Sequence, residues 1–155
     1  MIPTTPPSRR FPNANNVLPS AFGTRVKIVS AATIPPESIK WIWFGWLAAG
    51  KLHMLAGQPG AGKTGAAVVM AATISRGDSG GRWPDGTEAP AGNVVFWTCE
   101  DGLADTIIPR LIAAGANMER VFVLTGTEEN GHERAFNPAK DIERLMQRVA
   151  EIGNV

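Results

Sequence analysis

The sequence predicts an α/β domain with a parallel, three-layer sheet, and three observations carry that expectation. Strand-like runs at 25–31, 51–56, 93–99 and 120–124 alternate with helix-like segments beginning near 64, 103 and 138. The residues Gly57-Gln58-Pro59-Gly60-Ala61-Gly62-Lys63-Thr64 fit G-x-x-x-x-G-K-[ST] and stand between a strand-like and a helix-like segment. Strands joined through helices pack in parallel by right-handed crossovers, with helices on the faces of the sheet.

Taken in order, residues 1–23 hold five prolines and little periodicity, and predict a draped or mobile arm ahead of a core over 24–155. Arg25–Ala31 alternates and is β-branched, a strand that Pro35-Pro36 follows. The tract Trp41-Ile42-Trp43-Phe44-Gly45-Trp46-Leu47 shows no single period. Lys51–Ala56 is a short apolar run leading into the glycine-rich loop, as a buried parallel strand does. From there to Arg76 the chain is almost all Ala, Val, Met and Ile, which predicts a helix buried on nearly every side. Residues 77–92 are dense in Gly, Pro and Asp, a long loop with Trp83-Pro84 as its anchor.

Asn93–Cys99 is the expected central strand. Helical character resumes at Leu103 and stops at Gly115, with Pro109 imposing a kink or a restart. Arg120–Leu124 is a further strand, and Glu128, Glu129 and His132 fall in a glycine-flanked loop without an assigned role. The last helix opens with Asn137 as cap and Pro138 in the first turn. It repeats Ile142, Leu145, Met146 and Val149 at helical spacing and ends at Gly153.

At 155 residues and 44% hydrophobic content, the chain has the material for one domain with a core. A net charge of +1 gives no global attraction to nucleic acid or membrane. The lone Cys99 excludes an intramolecular disulfide and fits a reducing compartment. No signal-peptide pattern opens the chain, and the apolar stretch 41–56 is too short to span a bilayer and carries Lys51 and His53. A soluble, cytoplasmic protein is expected.

The loop from Gly57 to Gly65 is the main chemical feature. Its glycines let the main chain curl around a phosphate, and the helix N-terminus adds free N–H groups and the positive end of its dipole. In this reading Gly57, Gln58, Pro59, Gly60, Ala61, Gly62 and Gly65 form the cradle. Lys63 reaches the β- and γ-phosphates of ATP, and the Thr64 hydroxyl holds Mg²⁺. The second feature is Glu100-Asp101-Gly102 at the end of the 93–99 strand, where open parallel sheets gather their ligands. Glu100 there can orient or deprotonate an attacking water, against the plainer role of capping the next helix, which suits Asp101 better.

The order Trp-x-Trp tract, strand, GQPGAGKT, buried helix, Trp-Pro-Asp-Gly loop, strand, Cys-Glu-Asp and Leu-Ala-Asp-Thr-Ile-x-Pro-Arg-Leu resembles one branch of the P-loop ATPases. It is that of the RepA-like, RecA-type AAA family ATPases, which includes replicative helicases of plasmids and phages. The resemblance covers about residues 26–155 and implies a RecA-like P-loop NTPase fold. It also implies Lys63 and Thr64 as the Walker A pair, Glu100 as catalytic glutamate, and hexameric rings with ATP between subunits. Single-stranded DNA is the further partner it implies. Such ATPases carry a Walker B aspartate on the next core strand, and no apolar run ending in Asp follows before Val155. The sequence therefore reads as the N-terminal portion of a longer ATPase, or else as a non-hydrolysing nucleotide-binding or assembly fragment.

Other residues have plainer readings. Trp41, Trp43 and Trp46 suit core packing better than stacking on adenine or on single-stranded bases. His53 reads as a satisfied core residue, and Cys99 as a buried strand residue without a base partner. Arg144 and Arg148, with Glu143, suit exposed helix pairs.

Overall fold

The structure, a computed structural model, describes residues 26–155; the predicted arm over 1–23 lies outside the described residues. Residues 26–38 belong to one compact unit and Ile39–Val155 to another. In the first, no strand forms over 26–30, contrary to the sequence reading. The chain is exposed there and closes into a 3-10 turn, Ala31–Thr33. Ser30 Oγ accepts from Ala32 N, and Thr33 Oγ1 donates to the Ser30 carbonyl at 2.7 Å. Alternation marks a strand only where a neighbouring strand takes up its N–H and C=O groups, and this segment has none among the described residues.

The second unit begins with an antiparallel hairpin, β1 (Trp41–Trp43) and β2 (Leu47–Ala48), turned by Gly45 at φ 76. Trp83 from the following loop packs beneath it, parallel to Trp43 with centroids 4.8 Å apart. Its Nε1 donates to the Ile42 carbonyl at 3.1 Å, and Trp43 Nε1 donates to Asp85 at 2.8 Å. The Thr87 hydroxyl, then the Trp43 indole, hold the Asp85 carboxyl below its ordinary range. Trp83 is 3% exposed, so the loop has the anchor its sequence predicted.

Residues 51–56, expected to be a buried strand, form no ladder bonds among the described residues; Leu52 is 95% exposed. His53 is likewise exposed, not a core residue. Its Nε2 accepts from Ala48 N at 3.1 Å and its Nδ1 lies 3.1 Å from the Lys51 carbonyl, so local bonds satisfy the ring.

Helix α1 (Lys63–Arg76) buries Val68, Ala71, Ala72, Thr73 and Ser75, while Val69 on the other side is exposed. Only Gly65 and Val69 of its 14 residues are exposed, and the run Ala71, Ala72, Thr73 and Ser75 carries burial round most of its C-terminal half, as the sequence predicted. Strand β3 (Val94–Phe96) pairs in parallel with β4 (Val121–Val123), in register Val94–Val121, Val95–Phe122 and Phe96–Val123. Among the described residues this pair is the only parallel pairing, so the expected three-layer sheet is reduced to two strands. The runs at 26–31 and 51–56 contribute no strand to it.

Val94, Phe96 and Val121 pack on a core of Val68, Ala71, Ile107 and Leu111. On the other face, Val95, Phe122 and Leu124 line an apolar groove with Leu145, Val149 and Ile152. Those last three belong to α3 (Pro138–Ile152), which Asn137 caps by accepting from Ala139 N. Asn93 Nδ2 donates to the Gly153 carbonyl at 2.8 Å, tying the end of α3 to the start of β3.

Between the strands, Leu103–Ile107 forms a π-helical turn that continues as α2 (Ile108–Ala113), ending before Gly115 at φ 71. Pro109 has no amide to give to the carbonyl four residues back, so the ladder widens and restarts with proline in its first turn. At the entry, a Cβ on Gly102 would meet only the Asp105 carboxylate, 2.1 Å from its Oδ1, a side-chain end that can turn aside.

The segment read as a loop around Glu128, Glu129 and His132 is a hairpin, β5 (Thr127–Glu129) and β6 (His132–Arg134). Asn130 and Gly131 both have positive φ, the geometry of a two-residue type I′ turn.

Candidate functional site

The glycine-rich loop delivers its atoms to the head of α1. Gly60 and Gly62 hold φ of 79 and 82, a left-handed region that costs any residue with a Cβ about 1–2 kcal/mol. Gly62 is the cap residue and offers no side-chain acceptor. The first bond of the helix runs from Ala66 N to the Gly62 carbonyl at 2.8 Å. The amides of Lys63, Thr64 and Gly65 are therefore free donors at the positive end of a 14-residue helix. Lys63 folds back over the loop, its Nζ donating to the carbonyls of Gly57 at 2.9 Å and Gln58 at 3.0 Å. Its ammonium is held beside those amides.

The facing wall is the exit from β3. Thr98 Oγ1 accepts from the amides of Glu100 at 3.3 Å and Asp101 at 3.2 Å, which turns the chain and leaves both carboxylates without a capping bond. Neither acid caps the following helical segment, contrary to the role sequence reading gave Asp101. Lys63 and Thr64 line one side of a cleft of ≈ 410 Å³, and Cys99, Glu100 and Asp101 line the other. Leu55, Ala67, Phe96 and Trp97 supply its apolar walls. Cys99 is exposed in this cleft, not buried in a strand, because β3 ends at Phe96. Trp97 meets Phe136 edge-on at 5.3 Å.

This donor set fits a polyphosphate: free amides, a cation and a hydroxyl converge, with an acid across the cleft. Among the described residues no three His, Cys, Asp or Glu groups gather as a metal cage. A divalent ion here would depend on Thr64 together with phosphate oxygens, the usual arrangement for Mg²⁺.

One polar centre escaped the sequence reading. Asp141, 1% exposed, takes both arms of the Arg134 guanidinium at 2.7 and 2.8 Å and Arg144 at 3.1 Å. It also accepts from Asn137 N at 2.9 Å and Thr127 Oγ1 at 3.2 Å. The Arg134 guanidinium first, then the Asn137 amide, hold its carboxyl well below the ordinary range, although burial alone raises it. Arg134, paired also with Glu129, is raised in turn by the Asp141 carboxylate. Arg144 therefore bonds Asp141 and not Glu143, while Arg148 pairs with Glu151. The Asn130-Gly131 pair is a hairpin signal that the loop reading passed over; nothing in spacing pointed to the buried carboxylate.

No helix among the described residues is long and apolar enough to cross a membrane. No curated protein and no solved structure gives a match. The AAA domain family matches over residues 19–155, most of the chain, and its span contains the whole cleft. With that match added to a glycine-rich loop of P-loop pattern at the head of α1, the chain belongs to the AAA domain family of ATP-binding P-loop ATPases.

Proposed function

We propose that this chain is the nucleotide-binding core of a RecA-like, RepA-like ATPase that hydrolyses ATP with Mg²⁺ in DNA replication or plasmid and phage mobilisation, working as a homo-oligomeric ring on single-stranded DNA. The observation that carries the ATPase reading is the single cleft shared by Lys63, Thr64 and Glu100. The amides of Lys63, Thr64 and Gly65 bind phosphate oxygens, and Gly60 and Gly62 keep the loop curled around them. Lys63 exchanges two carbonyl acceptors for phosphate oxygens, a charge-assisted bond worth about 1.5–3 kcal/mol. The Thr64 hydroxyl holds the metal. Mg²⁺, when bound, neutralises charge on the phosphates. Glu100 accepts a proton from, or orients, the water that attacks the γ-phosphate, and the apolar walls limit stray water.

Calorimetry and phosphate release test this. Lys63→Ala is expected to lower ATP affinity about ten- to a hundredfold. Glu100→Gln is expected to keep ATP binding and to lower turnover by about 10²–10⁴. Unchanged turnover in Glu100→Gln would remove that residue from the mechanism.

A second reading, a nucleotide-binding assembly module without turnover, draws on one observation. Leu52, Met54 and Leu55, just ahead of the loop, are exposed and apolar. ATP binding without phosphate release by the wild-type chain would favour it.

A further inference from the structure

Three indoles form a stack that the phosphate-loop chemistry does not use. Trp83 and Trp43 lie parallel, their planes within 2°, and Trp43 also stacks on Trp46 with centroids 5.4 Å apart and 25° between planes. Trp83 and Trp43 are fixed by their Nε1 hydrogen bonds to the Ile42 carbonyl and to Asp85. Trp46 is 69% exposed and Phe44 beside it in the turn 78%, so the stack is anchored at one end and open at the other. A rigid ring with an open face loses little entropy on receiving a second flat ring.

Charge narrows the identity of that ring. Lys40 and Lys51 flank the hairpin: the Lys40 carbonyl accepts from Ala49 N at 2.8 Å, and Lys51 follows two residues later. Both are exposed, and neither takes part in an ion pair among the described residues. Both stand at the open end of the hairpin, one three-residue strand, about 10 Å, from the turn that carries Trp46, within the span of a few nucleotides. Flat rings spaced along a chain of phosphates are what single-stranded nucleic acid offers, and stacking tolerates any sequence because every base has a π-face. A second copy of this chain would satisfy the apolar rings but would bury two cations for which the hairpin supplies no acid.

We infer that the Trp46 face of the β1–β2 hairpin binds single-stranded nucleic acid, one base stacking on Trp46 while Lys40 and Lys51 touch flanking phosphates. By this face the proposed ATPase meets its strand. The partner class rests on the ATPase reading, but the binding itself does not depend on Lys63 or Glu100.

The test is fluorescence anisotropy of labelled oligothymidylate with the full 155-residue chain across a salt series. Trp46→Ala is expected to weaken binding about tenfold, and Trp46→Phe to keep most of it. Replacing Lys40 and Lys51 by Gln is expected to flatten the slope of log affinity against log salt by about 0.7 for each phosphate left without its cation. ATP affinity stays at the wild-type value in these variants, whereas Lys63→Ala loses ATP and keeps oligothymidylate. Failure of the wild-type chain to bind ATP would strike the ATPase reading and leave the stacking result standing. The inference is overturned by a wild-type chain that does not bind oligothymidylate, or by equal affinity in Trp46→Ala. A Trp46→Ala chain that stops self-associating yet holds oligothymidylate as well as wild type also overturns it, and assigns the face to a second copy.

Discussion

Gly62 shows how a single residue shapes the site. Its φ of 82 sets the angle at which the chain enters α1, and with no side chain it leaves the next three amides free. Gly62→Ala is expected to cost about 1–2 kcal/mol of stability through left-handed strain. It is also expected to weaken ATP binding, because relaxing that strain re-aims the amides. Denaturant titration and calorimetry on the same variant separate the two effects. Asn137 is the contrasting case, a cap whose oxygen does accept from the helix, at 3.0 Å. Asn137→Ala is expected to cost about 1 kcal/mol with no change in ATP affinity, a difference that chemical denaturation resolves.

At the scale of elements, each of two hairpins is held by a side chain outside it. The β1–β2 hairpin rests on Trp83, forty-odd residues later, through ring stacking and the Ile42 carbonyl. Trp83→Ala is expected to cost about 3–5 kcal/mol, the range for removing a large buried aromatic, and to expose the loop over 80–90 to protease. Cleavage at the wild-type rate would show that the hairpin holds without its anchor. The β5–β6 hairpin is fastened to α3 by the Arg134 guanidinium on Asp141. An isolated two-stranded hairpin is marginal in water, so the bond from the half-buried Arg134 to the buried Asp141 helps fix it to the rest of the molecule.

Across the whole molecule, Asp141 links stability to pH. A carboxyl held below its ordinary value favours the folded state while ionised. That stabilisation is complete above the unfolded value of 3.8 and is lost as pH falls from there toward the lower folded value. The thermal midpoint is expected to hold steady down to roughly pH 5 and then to fall with acidification. Asp141→Asn is expected to start lower at neutral pH and to lose part of that acid-dependent fall. A wild-type and variant pair with parallel pH profiles would show that other carboxylates govern acid unfolding.

What could be read without coordinates was whatever depends on short-range chemistry. The glycine-rich loop ahead of α1, the caps at Asn137 and Gly153, the proline restart at Pro109 and the strand-forming runs 93–99 and 120–124, of which 94–96 and 121–123 form strands, follow from local backbone sterics and side-chain reach. Long-range pairing was not readable in the same way. Residues 26–31 and 51–56 have strand-like composition but no ladder partner here, and a strand exists only through its neighbour. The meeting of Lys63 and Glu100 in one cleft was expected from the strand-end position of the acid, whereas tertiary structure alone decided that Cys99 faces that cleft and that Asp141 is a buried hub. Contacts between groups far apart in sequence are set by packing, and no local pattern records which surfaces will meet.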